Sequence, residues 1–367
     1  MRGTMKRIGW LAMLGLVALG FAACAEAGED GEGIKGCFVT DLQGVDDRSF
    51  NAAGWAGVTG AAEAGYIQND PGPPTNPLLL ESATRDDYQP NIDACAEGGA
   101  SHIVTNGFEL GPATEINAAA HPDLKFTIVD YAFSDADFNP IDLDNVRELV
   151  YQTDQAAFAA GYLAAGVTQS GVVGTYGGLN IPTVSIFMDG LARGVAHYNE
   201  VKGADVAVVG WDVATQEGSF TGSFDPTDPA VVSTCQSLLD EGADIILPVG
   251  GIINLPCGTE ILTRGVEAAL IGVDVDAFVA MPADFQDLWL VTITKAITEQ
   301  VTRSLQEDSE GSWSNGNFVG DLSNDGVGLS EYHSWADRVP DELHAEVQQI
   351  LEDIKSGAID ASFFEVG

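Results

Sequence analysis

Five short apolar runs of the chain end in a polar residue or a glycine, where a buried strand would open into a loop. These terminal residues are Asp41, Asn106, Asp130, Gly250 and Asp274. Carboxylates and amides exchange hydrogen bonds with hydroxyl and amino groups, and glycine lets a ligand approach the main chain closely. In open α/β sheets, ligands bind beyond the carboxyl ends of the strands. The pattern therefore predicts that these residues converge on one binding cleft.

The segments around these positions alternate between two patterns from residue 34 onward. Short apolar runs predict buried strands at residues 36–40, 102–105, 126–129, 172–176, 206–211, 244–249 and 270–273. Between them, apolar residues recur three and four positions apart, as at Val231, Cys235 and Leu238, and residues 341–354 form an amphipathic helical pattern. The alternation predicts an α/β protein with parallel, doubly wound sheets, and its length favours two domains.

The amino terminus has the pattern of an export signal. A basic start precedes an uncharged apolar stretch that ends in two alanines and Cys24. This stretch is shorter than the ~20 apolar residues that cross a bilayer, so we predict a cleaved signal peptide at residues 1–23. A cysteine after two small residues is typical of a lipobox and predicts lipidation of Cys24, although Phe21 replaces the usual aliphatic residue. The alternative is a plain signal peptide in which Cys24 has no role.

Residues 24–33 are small and acidic, which predicts a flexible tether.

The composition is strongly acidic. The chain carries 15 basic and 55 acidic residues, a net charge of −40 at pH 7. Three of the basic residues and none of the acidic ones lie in the predicted signal peptide, which leaves 12 against 55 and a net charge of −43. Such a charge repels phosphate backbones, which argues against nucleic acid as a partner.

Four cysteines follow Cys24, namely Cys37, Cys95, Cys235 and Cys257. Disulfides are chemically allowed in an exported chain, and three pairings are possible. The five histidines are scattered, and the sequence contains no Cys/His spacing typical of a zinc site. We therefore predict neither a metal nor a cofactor.

Residues 39–51, Val-Thr-Asp-Leu-Gln-Gly-Val-Asp-Asp-Arg-Ser-Phe-Asn, are followed by Trp55. This segment resembles the basic membrane protein family of substrate-binding lipoproteins, which includes the purine-nucleoside receptors of ABC importers. The family has a lysine where this chain has Arg48. Further segments similar to the family, in the same order, are residues 159–166, 187–195, 222–225, 242–246, 250–251 and 272–276.

One segment departs from the family pattern. The family has further glycines after Gly250 and Gly251, where this chain has Ile252 and Ile253. We expect the two isoleucines to fill space that the main chain of a ligand-contacting loop otherwise occupies. This difference affects the expected ligand more than the expected fold.

The resemblance implies a type I periplasmic-binding-protein fold, with two Rossmann-like lobes, parallel sheets, about three crossings between the lobes and a ligand cleft between them. We expect the first lobe at residues 34–140 plus about 276–322. The second lobe is expected at residues 141–275 plus about 323–367.

The resemblance also implies the ligand-binding residues. They are Asp41, Phe50, Asn51 and Asn106 from the first lobe, and Phe224, Gly251, Asp274 and Lys295 from the second lobe and hinge. Asp274 resembles the aspartate that accepts both ribose hydroxyls, and Phe50 and Phe224 would stack on a base. Core packing is the alternative for the phenylalanines, and a surface position is the alternative for Lys295.

The adjacent carboxylates Asp46 and Asp47 are predicted to have a structural role. Both precede a helical segment, and we expect them to cap its amino terminus.

These features together predict an exported, lipid-anchored solute-binding protein of an ABC importer, on the extracytoplasmic side of the cell membrane. Its predicted ligand is a nucleoside, with a purine nucleoside expected. Its other partners would be the importer permease and, through the anchor, the membrane. We expect capture by lobe closure and no catalysis. A nucleoside-processing hydrolase and a membrane-tethered sensor are the alternatives, and the sequence leaves the base preference open.

Overall fold

The computed structural model describes residues 33–72, 75–135 and 139–364. The predicted signal peptide, Cys24 and the predicted tether up to Glu32 lie outside the described residues. Among the described helices, none combines the length and the apolar character needed to span a membrane.

Strands and helices alternate along most of the described chain. The strands are β1 Gly36–Thr40, β2 Leu78–Leu80, β3 His102–Asn106, β4 Lys125–Val129, β5 Val146–Tyr151, β6 Val172–Gly177, β7 Ala207–Val209, β8 Trp211–Asp212, β9 Glu217–Gly218, β10 Ile245–Val249, β11 Ala269–Asp274, β12 Trp289–Lys295, β13 Gly316–Gly320 and β14 Val327–Leu329. The helices are α1 Phe50–Glu63, α2 Tyr88–Glu97, α3 Gly111–Ala120, α4 Thr153–Val167, α5 Pro182–Lys202, α6 Pro229–Asp240, α7 Asn254–Arg264, α8 Ala277–Ala280, α9 Ile297–Ser309 and α10 Asp341–Lys355.

Local sequence explains where several helices begin and end. The carboxylate of Asp228 accepts a hydrogen bond from the Ala230 N–H, and Pro229 occupies the first helical position of α6. Helix α5 also has a proline in its first turn, and the residue that caps its carboxyl end, Gly203, has a left-handed φ of 65°. These signals agree with the helical segments that the sequence predicts.

The first sheet has the strand order β13-β5-β4-β3-β1-β2, and all its neighbours are parallel. Side chains alternate between its faces, so Phe38 packs with Val58 of α1 and Val301 of α9, whereas Val39 packs with Ile92 of α2. We call this sheet with α1, α2, α3 and α9 the first lobe.

The second sheet has the order β14-β12-β11-β10-β6-β7, parallel except for the antiparallel edge strand β14. One face packs against α4 and α5, and α10 packs against α4, where Leu163 and Val347 belong to the same core. The other face packs against α6 and α7, where Tyr176 and Ile261 are buried together. This sheet, its helices, α8 and the β8-β9 hairpin form the second lobe. The two-lobed α/β architecture confirms the predicted fold class.

The chain passes between the two sheets three times within the described residues. The passages are β5 to α4, β12 to α9 and β13 to β14. Strand β5 lies in the first sheet, although the expected boundary at residue 140 assigned it to the second lobe. Strand β12 lies in the second sheet, although residues 276–322 were expected in the first lobe. Both differences have the same cause. β5 and β12 each pair within the sheet of the lobe that the chain is about to leave, and the chain enters the other lobe only at the helix that follows, α4 or α9.

The segments 159–166 and 187–195 lie on α4 and α5 and bring these helices into close contact. A Cβ atom at Gly161 would overlap the main-chain oxygen of Leu191, and one at Gly194 would overlap that of Phe158. These two family-like segments therefore form a helix interface at the first crossing.

Two disulfides join elements within single lobes. Cys37 of β1 is bonded to Cys95 of α2, and Cys235 of α6 is bonded to Cys257 of α7. The structure therefore selects one of the three pairings that the sequence allows.

Candidate ligand-binding cleft

A cavity opens between the carboxyl ends of the two sheets. Its volume is about 570 Å³, including the part open to solvent. The lining residues come from the ends of β10, β11 and β12, from the loops after β1, β3, β4 and β10, from the loop before α6, and from the starts of α1 and α5. Both lobes thus contribute to one cleft at the edge where parallel strands end.

Six of the eight predicted ligand-binding residues line this cavity, namely Asp41, Phe50, Phe224, Gly251, Asp274 and Lys295. The other two, Asn51 and Asn106, are buried behind the wall of the cavity. Their side chains form hydrogen bonds to residues at the cleft. Asn106 stands at a strand end as predicted, but its side chain points towards the start of α1 and does not reach the cavity.

A lysine lies between two carboxylates at the hinge end of the cleft. Lys295 Nζ is 2.6 Å from Asp130 Oδ2 and 3.6 Å from Asp274 Oδ1. The three residues are 7%, 6% and 5% exposed. Asp130 follows a strand of the first lobe, whereas Lys295 and Asp274 end strands of the second, so this ion pair joins the lobes.

The two neighbouring carboxylates keep Lys295 in its charged form. Burial favours the neutral form, but Asp130 and Asp274 outweigh burial and raise the pKa of Lys295 above its usual value. Burial raises the pKa of Asp130, and Lys295 opposes that shift. The lysine therefore remains charged at neutral pH and compensates the buried carboxylates.

The two aspartates share an unusual backbone conformation. Asp130 and Asp274 have φ values of 63° and 69°, in the left-handed region that non-glycine residues seldom adopt. Aspartate tolerates this region better than most residues because its short polar side chain forms local hydrogen bonds. The conformation occurs directly at strand ends, where both carboxylates turn into the cleft.

Ser49 adds a second direct contact between the lobes. Its hydroxyl donates to Asp274 Oδ2 at 3.2 Å and lies 3.4 Å from the main-chain oxygen of Val273. Ser49 is fully buried. Asp274 thus has a defined orientation, and as a carboxylate it retains capacity for further donors.

At the other end of the cleft, amides surround Asp41 and Asp47. Asn51 Nδ2 donates to Asp41 Oδ1 at 2.6 Å and to Asp47 Oδ2 at 3.3 Å. Asn106 Nδ2 donates to Asn51 Oδ1 and to the main-chain oxygen of Phe50. The two asparagines therefore position Asp41 and the start of α1.

Asp47 has the structural role that the sequence predicts. Its carboxylate accepts hydrogen bonds from the main-chain N–H groups of Ser49, Asn51 and Ala52 at 2.7–3.0 Å, in the first turn of α1. Asp46, by contrast, is exposed and has no side-chain cap bond to the helix.

Asp41 has no basic partner in this group. Burial raises its pKa to about 7, while hydrogen bonds from Asn51 and Gln43 oppose the shift. Asp41 is therefore a cleft carboxyl that changes protonation near neutral pH.

Four phenylalanines line the cleft, namely Phe50, Phe108, Phe187 and Phe224. Lys295 Nζ lies 5.5 Å from the ring centre of Phe50 and 5.1 Å from that of Phe187. The Phe224 ring lies over Gly178 and Gly250, where a Cβ atom would collide with it. The arrangement provides apolar faces close to charged groups, as a ligand with both a flat ring and hydroxyls requires.

Comparison with known proteins agrees with this architecture. Residues 34–360 match the family described as "ABC transporter substrate-binding protein PnrA-like", named Bmp. The chain belongs to the Bmp family. Membership implies a small-molecule ligand and a transporter permease as partners.

Curated relatives are similar over most of the chain. The "ABC transporter nucleoside-binding protein BmpA" of Lactococcus lactis is 25% identical over 89% of this chain and 88% of its own length. "Basic membrane protein A" of Borreliella burgdorferi is 25% identical over 72% of this chain and 71% of its own length.

Solved structures share the fold. An ABC transporter solute-binding protein from Aeropyrum pernix has a TM-score of 0.74 at 22% identity, over 89% of this chain and 92% of that one. One from Conexibacter woesei has a TM-score of 0.65 at 22% identity, over 90% and 100%.

The loop that departs from the Bmp pattern keeps its main chain at the cleft. Gly250 and Gly251 have positive φ values and line the cavity, whereas Ile253 is fully buried in the second-lobe core and Ile252 packs against that core. Both isoleucine side chains therefore pack with the second-lobe core and do not line the cavity.

Several residues that line the cleft of this Bmp protein are absent from the predicted set of eight ligand-binding residues. They include Gln43, Phe108, Glu109, Asp130, Ile181, Thr183, Val184 and Phe187. Asp130 carries the strand-end signal, and Phe187 begins the family-like segment 187–195. The residues at the start of α5 carry no comparable signal, because helical periodicity does not tell which end of a helix faces a cleft.

Proposed function

We propose that this protein binds a nucleoside, with a purine base preferred, and delivers it to the permease of an ABC importer. The observation that carries the proposal is Asp274, an oriented carboxylate that faces the cleft beside Lys295 and the ring of Phe50. The similarity to a relative named as nucleoside-binding supports the same ligand class.

The two chemical parts of a nucleoside match different parts of the cleft. One ionised carboxylate accepts two O–H donors, so Asp274 would hold the two ribose hydroxyls. The base would lie between Phe50 and Phe224, and such stacking is worth ~1–3 kcal/mol per base in other systems. Asp41, at the other end of the cleft, would bond to polar atoms of the base.

Binding would be completed by movement of the lobes. The three passages between the sheets are short, and hinge closure around a ligand is a common use of such connections. In the proposed cycle, the second lobe closes on a nucleoside held by the first, and the permease accepts the closed form. Lipidation of Cys24 would keep the protein beside the permease.

The charge arrangement favours a binder over a hydrolase. A calcium-dependent nucleoside hydrolase needs carboxylates that are free to hold the metal. Here Asp130 and Asp274 already share the ammonium group of Lys295, which balances the negative charge that a metal ion would otherwise balance. The cleft would therefore bind a nucleoside without activating water.

A binding screen tests this proposal. The purified protein is incubated with inosine, adenosine, guanosine or uridine, and thermal unfolding and release of free base are measured. We expect stabilisation without base release. Release of base would support the hydrolase, and the absence of stabilisation by every nucleoside would contradict the proposed ligand class.

A substitution tests the proposed ribose contact. Asp274→Ala should weaken binding of the stabilising nucleoside at least tenfold by calorimetry, equal to about 1.4 kcal/mol. Asp276→Ala is the matched control, because Asp276 bonds to His333 and does not line the cavity. Equal affinities of the two variants would remove Asp274 from the site.

A further inference from the structure

The side chain of Gln43 reaches from the first lobe into the second. Gln43 lies in the loop after β1, and its Nε2 donates to the main-chain oxygen of Phe224 at 2.7 Å and to that of Gly250 at 3.1 Å. The acceptors are 181 and 207 residues away along the chain. One amide group therefore uses both of its N–H donors across the cleft.

The two acceptors belong to different loops that both line the cavity. Phe224 precedes α6 and supplies a ring to the cleft, and Gly250 follows β10. The amide oxygen of Gln43 lies against Gly251, where a Cβ atom would come within 2.6 Å of it. The glutamine side chain thus fits between the two loops as well as bonding to them.

We infer that Gln43 is a positioning residue that fastens the closed cleft and sets the place of Phe224. Its bonds join protein atoms only, so they stabilise closure independently of the solute. The inference rests on the proposed function only where it concerns nucleoside release.

This fastening has a consequence for binding kinetics. A bond present only in the closed state raises the closed population and slows escape of the ligand, which requires opening. Entry occurs before the bond forms, so the association rate depends on it less. Loss of Gln43 should therefore appear mainly in the dissociation rate.

The chemistry of the contact defines the informative substitutions. Glutamate has the shape of glutamine but no N–H donor, and its carboxylate would face two main-chain oxygens. Methionine has a similar length and neither donor nor charge. The two variants therefore separate loss of hydrogen bonds from added repulsion.

Gln68 supplies a matched control. Its Nε2 donates to the main-chain oxygen of Gly33 at 2.7 Å, and both residues lie in the first lobe. Gln68→Glu adds the same charge and removes the same type of bond without affecting the contact between lobes.

The first measurement uses the protein without added nucleoside. Small-angle X-ray scattering should give a larger radius of gyration for Gln43→Glu and Gln43→Met than for the wild type and Gln68→Glu, with circular dichroism confirming folding. Equal radii in all four proteins would overturn the inference, whatever solute the protein binds.

The second measurement uses inosine in stopped-flow fluorescence. We expect both Gln43 variants to release inosine about tenfold faster, as the loss of two hydrogen bonds implies, with association changed less than threefold. A change confined to association would overturn the kinetic role. If the wild type binds no nucleoside, the proposed ligand fails, and the scattering result still decides whether Gln43 fastens the lobes.

Discussion

Two groups of carboxylates lie at the cleft or directly behind its wall, and the protein compensates them by different means. At the hinge end, Asp130 and Asp274 share the ammonium group of Lys295. At the other end, Asp41 and Asp47 receive hydrogen bonds from Asn51 and from main-chain N–H groups. The first group contains a cation and the second does not.

The difference teaches how charge is controlled in a binding site. A buried cation favours the charged form of a neighbouring carboxylate, and Lys295 thus opposes the rise that burial causes in the pKa of Asp130. Amide donors stabilise a carboxylate less, so burial leaves the pKa of Asp41 at about 7. Asp41 can therefore change protonation near neutral pH, whereas Lys295 stays charged and compensates the carboxylates at the hinge end.

Removal of the cation should have the largest effect. Lys295→Met leaves two buried carboxylates without their partner, and breaking a buried ion pair from one side costs about 3–5 kcal/mol. We expect the free energy of unfolding in urea at pH 7 to fall by this amount. The double variant Lys295→Met/Asp130→Asn should regain part of the loss, and a double variant no more stable than the single one would contradict the pairing.

Removal of the central amide should have the next largest effect. Asn51→Leu takes two donors from Asp41 and Asp47, and hydrogen bonds to charged groups are worth about 1.5–3 kcal/mol. We expect about 2–3 kcal/mol of lost stability in urea unfolding. Asn117→Leu is the control, because buried Asn117 donates only to the main-chain oxygen of Ala113 among the described residues. An equal loss in both variants would refute the special role of Asn51.

The pH dependence of stability should separate the two groups. The pKa of Asp41 is raised in the folded state, so its contribution to stability is present at low pH and is lost as pH rises from about 4 through 7. Asp41→Asn removes this dependence. Because Asp41 is partly open to the cleft, we expect about 2 kcal/mol less change between pH 5 and pH 8 in the variant than in the wild type. Parallel stability curves of the two proteins would show that Asp41 is ionised throughout this range.

The smallest effect should come from the hydroxyl that orients Asp274. Ser49→Ala removes one bond to a carboxylate that Lys295 already compensates. We expect a loss of about 1 kcal/mol in urea unfolding, within the usual range for one hydrogen bond. A loss as large as that of Asn51→Leu would mean that the hydroxyl, and not the lysine, is the main support of Asp274.

The strand ends were predictable from sequence because period and apolar character are local properties. Asp41, Asn106, Asp130, Gly250 and Asp274 all stand at the carboxyl ends of β1, β3, β4, β10 and β11, as expected. The direction of a side chain depends on its neighbours in space. Asn106 therefore turns towards the start of α1 and not into the cavity.

Contacts between segments far apart in the chain could not be predicted from the sequence, because local patterns do not show which segments meet in space. Strand β5 contains Arg147 and Glu148, so its pattern is less apolar than that of the other central strands. Gln43 has no local feature that reveals its bonds to a loop 181 residues away. The disulfide pairing also required the fold, because each bond joins a helix to an element that packs beside it.

Each disulfide lies entirely within one lobe, Cys37 with Cys95 in the first and Cys235 with Cys257 in the second. The disulfides therefore stiffen each lobe separately and do not link one lobe to the other. Each half resists deformation, while torsion about the three short passages meets no disulfide among the described residues. Oxidative folding can thus be completed in each half without restricting the motion between them.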